Sequence, residues 1–178
     1  MKVLAAVGIA IIMSVTSPAQ AGLGLYSVAT KVGLDVVQAN DTRHFYIFQA
    51  DIATLFSPNL RLEVAAEFGN GSDLDGTEIQ VRGGGAFFKY LWPHKSGTAF
   101  AFMGGGVGVN RVRRERLIIN EFQNEYQTSL HVTLVGMEKH LLRGKMKILL
   151  EIRWVIGEEE DASALRTAVG VGFNIGKP

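Results

Sequence analysis

Ala164-Leu165-Arg166-Thr167-Ala168-Val169-Gly170-Val171-Gly172-Phe173-Asn174-Ile175 is the stretch whose reading decides the fold. Leu165, Thr167, Val169, Val171, Phe173 and Ile175 form one apolar face. Ala164, Arg166, Ala168, Gly170, Gly172 and Asn174 form a small or polar one. A strict period of two belongs to a β-strand, whose successive side chains point to opposite sides. A half-buried strand of a soluble sheet alternates in the same way. The reading therefore turns on how often the pattern recurs and on what stands at the other end of the chain.

It recurs seven times before this segment. Gly24 to Val36 sets Tyr26, Val28, Val32 and Leu34 against Ser27, Lys31 and Asp35. Phe45 to Phe56 sets Tyr46, Phe48 and Ile52 against Gln49 and Asp51. Leu60 to Gly69 sets Leu62, Val64 and Phe68 against Arg61, Glu63 and Glu67. Thr77 to Leu91 places Ile79, Val81 and Phe87 opposite Glu78, Gln80 and Arg82. Thr98 to Arg111 is glycine-rich and does not assign its faces. Tyr126 to Leu141 sets Leu130, Val132 and Leu134 against Ser129, His131 and Thr133. Lys145 to Gly157 sets Ile148, Leu150 and Trp154 against Lys147, Glu151 and Arg153. Glycines within such strands mark bulges or tight bends of a wall, and the Gly83–Gly85 and Gly104–Gly106 runs suit that role.

The N-terminus reads as an address. Met1-Lys2, an apolar run from Val3 to Val15 and Ser17-Pro18-Ala19-Gln20-Ala21 describe a secretory signal peptide cleaved after Ala21. The run is too short to span a bilayer as a helix, which needs roughly 20 apolar residues. With no cysteine in the chain, a lipid-modified anchor, a disulfide framework and a thiolate metal site are excluded. Removing residues 1–21 takes one cation, Lys2, and leaves 17 Lys+Arg against 17 Asp+Glu. A neutral mature chain argues against a nucleic-acid partner, which calls for a basic excess. Residues 22–178 read as one domain without repeats or linkers.

Connections after segments two, four and six read as short turns, and those after one, three, five and seven as longer and more polar. That is the asymmetry of an outer-membrane barrel, with both termini in the periplasm. Segments of this length suit tilted strands, which cross a bilayer in roughly 9–11 residues. The apolar face then meets lipid, and the polar face fills a narrow lumen with Lys31, Asp51, Arg61, Glu63, Glu67, Glu78, Arg82, His131, Glu151, Arg153 and Arg166. Tyr26, Phe56, Phe173 and Trp92 fall near one membrane level, and Tyr46, Phe68, Tyr126 and Trp154 near the other, as two interfacial belts would.

On these segments the chain resembles the small eight-stranded outer-membrane β-barrel proteins, the OmpA-like/OmpX-like group. The closing Gly170-Val171-Gly172-Phe173-Asn174-Ile175 is similar to the insertion signal of that group: Gly170, Phe173 and Ile175 match. Ala168 stands where a polar residue is usual, and the chain runs on through Gly176-Lys177-Pro178. The resemblance implies an all-β, eight-stranded antiparallel up-and-down transmembrane β-barrel in the outer membrane of a Gram-negative bacterium. It implies outer-membrane lipid and lipopolysaccharide as surroundings, the barrel assembly machinery as a partner during insertion, and a monomer without cofactor.

Candidate chemistry is sparse. The lipid A deacylases of this size carry a His-x-Ser pair, whereas Ser129-Leu130-His131 has the reverse order and lies on the lumen face, so no catalytic residue is assigned. His44, His94 and His140 lack the spacing to share a metal. Gly104–Gly106 with Gly108 lacks the Lys-Ser/Thr ending of a phosphate loop. Arg111, Arg113, Arg114 and Arg116 form one basic cluster that could grip lipopolysaccharide phosphates through their forked donors. The plain alternative is a hairpin in which they pair with Glu115, Glu121 and Glu125. The expectation is a non-enzymatic structural or interaction protein with a filled lumen. A barrel passing a small hydrophobic ligand through a gap at strand five, as OmpW-like barrels do, is the alternative, and a lipid A enzyme comes last.

Overall fold

A computed structural model describes residues 24–37, 42–53, 57, 59–72, 76–116, 121–157 and 163–175. The expected signal peptide, Phe56, the acidic stretch 158–162 and the tail 176–178 lie outside the described residues. The strands are β1 (Gly24–Val37), β2 (Thr42–Ala53), β3 (Leu60–Ser72), β4 (Glu78–Pro93), β5 (Ala99–Arg116), β6 (Glu121–Leu141), β7 (Met146–Gly157) and β8 (Ala164–Asn174). Each pairs antiparallel with its sequence neighbours. β8 closes on β1 from Ser27↔Asn174 to Val37↔Ala164, so the sheet is a closed up-and-down barrel. Closure leaves no sheet edge along the wall, which is what a sheet in lipid requires.

Polarity is reversed relative to a soluble barrel. Val28, Val32, Phe48, Phe88, Val107, Leu130, Leu150, Val169 and Val171 all stand exposed on the outside. Lys31, Asp35, Glu63, Lys147, Glu151, Arg153 and Arg166 are buried inside. A continuous outward apolar band of this kind belongs in hydrocarbon. Of the residues expected in the aromatic belts, Tyr46, Phe68, Trp92, Tyr126, Trp154 and Phe173 do face outward. Tyr26 does not: β1 carries one extra residue between Leu25 and Ser27, so Tyr26 and Ser27 are both buried. Its ring lies under the Arg61 guanidinium, 4.2 Å away.

The expected contrast between short turns and longer loops is absent, since four to six residues separate consecutive strands at either end; the two ends differ in strand length. At the end shared by the termini, β4 and β5 are joined through 94–98 and β6 and β7 through a 3-10 turn, Leu142–Gly144. At the other end, here the hairpin end, β5 and β6 run to 18 and 21 residues. Val112 to Glu125, which does not alternate in sequence, is part of this long hairpin, paired from Val112↔Glu125 to Arg116↔Glu121.

Two face assignments change. β4 turns Ile79, Val81 and Phe87 inward and Glu78 and Arg82 outward, so these two charges do not belong to the lumen. β6 has an extra residue between Thr133 and Gly136, which shifts its register against both neighbours. Leu134 and Val135 are both exposed, and beyond them the buried positions become Gly136 and Glu138.

Candidate functional site

The lumen is packed by interlocking charges. Its fully or nearly buried ions are Lys31, Arg61, Lys89, Lys147, Arg153 and Arg166 against Asp35, Asp51, Glu63, Glu67, Glu138 and Glu151, six of each sign. Lys31 Nζ meets Glu151 at 2.9 Å and Glu63 at 3.4 Å. Arg153 reaches the same two carboxylates at 3.1 and 3.2 Å. Lys89 bridges Asp51 (2.8 Å) and Glu63 (3.6 Å), and Lys147 joins Asp51 to Glu138. Arg166 forks onto Asp35 at 2.7 and 3.0 Å and donates to Glu67 at 2.8 Å. Desolvated charges are tolerated only when paired in this way.

Towards the hairpin end the ions give way to an apolar plug of Phe45, Ile47, Ala65, Ile79, Val81, Phe87 and Val112. Large side chains lie against inward glycines. A methyl on Gly69 would stand 2.6 Å from the Phe45 ring, and one on Gly85 2.5 Å from the Phe87 ring. Gly136 is likewise covered by Phe102, and Gly170 by Lys31. Small opposite large is how an eight-stranded barrel fills a lumen only side chains wide.

Nine of the eleven residues expected inside are there: Lys31, Asp51, Arg61, Glu63, Glu67, His131, Glu151, Arg153 and Arg166. Glu78 and Arg82 are not, and Lys89 and Glu138 join in their place. The sequence signal for Glu138 is the adjacent pair Leu134-Val135, two apolar residues that period two cannot both turn outward without a bulge.

The arginine cluster is divided by the wall. Arg111 and Arg113 face outward, Arg114 is half-buried with its Nη1 2.9 Å from Glu125, and the Arg116 side chain lies outside the described residues. Arg82 stands directly across from Arg111 in the β4–β5 register and takes the place of Arg114 in the outward group. Arg82, Arg111 and Arg113, with Gln80 and Asn124, line a shallow cleft of about 100 Å³.

No family model and no curated protein sequence matches the chain. Solved structures do. Neisserial surface protein A is 12% identical, over 86% of this chain and 99% of that one, with a TM-score of 0.64. The N-terminal β-barrel domain of Pseudomonas aeruginosa OprF is 12% identical over 85% and 98%, with a TM-score of 0.54. This chain has the fold of the small outer-membrane β-barrels. The outer membrane enzyme PagL shares it, at 10% identity over 83% of this chain and 99% of that one, TM-score 0.54.

Within this small-barrel fold, Ser129 Oγ and His131 Nε2 are 2.8 Å apart. Both are buried in the lumen, His131 under the Phe87 ring at 4.9 Å and next to Gly108. A nucleophile and base need a substrate within reach, and this pair faces packed side chains. His140 bonds Glu138 at 2.9 Å and His94 sits at the turn with Ser96, so the histidines stay apart. Among the described residues no group of three His, Cys, Asp or Glu side chains gathers for a metal.

Proposed function

We propose that this protein is a non-enzymatic, non-conducting barrel of a Gram-negative outer membrane, acting as a structural and interaction element through the surfaces at its hairpin end. The hairpin end faces the cell exterior and the shared termini face the periplasm. The observation that carries the reading is the lumen: six buried cations packed among six buried carboxylates, with an apolar plug towards the hairpin end, fill the space a channel would need. The work of such a barrel falls to its outside. Reconstituted into a planar bilayer from detergent, the protein should pass little ion current while showing the heat-dependent gel mobility shift of a closed barrel. A large, steady single-channel conductance would overturn the filled-lumen reading.

The non-enzymatic part rests on the placement of Ser129 and His131, away from any surface that lipid A could reach. Lipid A from cells with and without expression should have the same mass; loss of an acyl chain would sink it. The alternative as a small-ligand passage barrel finds no support at strand five, where β5 pairs with β4 from Glu78↔Glu115 to Pro93↔Phe100 and with β6 along its whole length.

A further inference from the structure

Along the outside of β4, the outward positions run Trp92, Tyr90, Phe88, Ala86 and Gly84, and then Arg82. Along β5 they run Met103, Gly105, Val107 and Val109, and then Arg111 and Arg113. The apolar wall therefore ends, on two neighbouring strands, in guanidinium groups. Arg82 and Arg111 are direct cross-strand partners, and the same hydrogen-bonded row continues to Phe68 on β3 and Tyr126 on β6. Like charges placed directly opposite each other are destabilising. Among the described residues neither Arg82 nor Arg111 meets a carboxylate; Arg111 donates to Asn124 Oδ1 at 3.2 Å. Arg113 has its own partner, Glu115 at 3.0 Å, and lies 5.2 Å over the Phe122 ring. Two uncompensated cations thus share a cleft with the amides of Gln80 and Asn124.

We propose that this cleft is an outer-wall site for the phosphorylated saccharide headgroup of an outer-leaflet glycolipid. Arginine forks match phosphate oxygens in pairs, and a phosphate dianion between Arg82 and Arg111 relieves their repulsion. Gln80 and Asn124 supply donors and acceptors for sugar hydroxyls. The acyl chains lie down the wall along Phe88, Val107 and Val109, which is what separates this ligand from a free anion. Belt aromatics at Phe68 and Tyr126, the latter 76% exposed, frame the headgroup level. The inference rests on the hairpin end facing the outer leaflet, and it puts Arg82 in the place of Arg114 in the arginine cluster read from sequence.

The test is native mass spectrometry of the full barrel in detergent, counting adducts of bisphosphorylated lipid A. The wild-type barrel should hold one such lipid, and Arg82→Gln/Arg111→Gln should hold it about tenfold less well, equivalent to about 1.4 kcal/mol. Arg143→Gln, in the turn at the opposite end, should leave retention unchanged. Lipid A stripped of both phosphates should bind no better to the wild type than to the double variant. Equal retention by the double variant, or equal binding of the phosphate-free lipid, overturns the proposal. Displacement by inorganic phosphate at matching concentration overturns the lipid assignment in favour of a free-anion site. The heat-dependent gel shift certifies that each variant is folded; if the double variant lacks it, the single variants Arg82→Gln and Arg111→Gln, each expected to weaken retention several-fold, decide. A conducting barrel would defeat the filled-lumen reading and leave lipid retention intact, so the two failures are separable.

Discussion

Arg166 ties four strands together. From β8 its guanidinium donates to Asp35 on β1 and Glu67 on β3, and its face lies 4.0 Å over the Phe45 ring of β2. Glu63 is its counterpart lower in the lumen, within 3.1 to 3.6 Å of Arg153, Lys31 and Lys89. Desolvation offsets much of what such pairs gain, yet deleting one partner leaves the others buried and uncompensated at a cost of about 3–5 kcal/mol. Glu63→Gln should therefore destabilise the barrel by that amount in urea unfolding from detergent micelles. Glu78→Gln, an outward substitution on the neighbouring strand, should stay within about 0.5 kcal/mol. Equal losses would return Glu78 to the lumen and unseat the register of β4.

At the scale of the element, β4 shows why one face could be read and its direction could not. Glu78-Ile79-Gln80-Val81-Arg82 alternates cleanly, so the strand is plain in the sequence. Which side is outside depends on the medium beyond the wall. In hydrocarbon the apolar residues turn outward, as Phe88 and Tyr90 do; where the wall rises past the apolar band the medium is polar, and Ile79 and Val81 turn inward to plug the lumen. The two regimes share one strand with no break in period. Single cysteines should show this in the folded barrel: Arg82→Cys reacts with a water-soluble maleimide, and Val81→Cys is protected. The reverse pattern would restore the face expected from sequence. In β6 the obstacle is different, since one extra residue resets the parity and carries Glu138 into the lumen. The eight strands and their order were legible because lipid and lumen sort side chains oppositely. The ion network was legible only in part, because inside and outside change meaning along a strand. Packing adds a further check: Gly69→Ala should cost about 1–3 kcal/mol by crowding Phe45, and Phe45→Leu in the same chain should recover most of it. Failure of that rescue would show that the glycine serves the backbone and not the ring.

As a whole the molecule is a wall with a solid centre. Among its described side chains β5 gives the ion network no member: its inward Gly106 lies against Phe87, its Gly108 against His131 and its Gly104 against the backbone of Phe88 and Lys89 on the strands beside it. The other seven strands each give at least one member of the charge network. That distribution bears on how the chain comes to be folded. Arg166 finds Asp35 across 131 positions and Glu151 finds Lys31 across 120, so these bonds form only when the last strand docks on the first. Pairings so remote in sequence make for slow folding with a late, sharply cooperative final step. Before that step Arg166 has neither Asp35 nor Glu67 within reach, so its ion pairs stabilise the closed ring and contribute nothing to the open arc. The network thus acts as a test of completeness at assembly, admitting the finished ring and rejecting the arc.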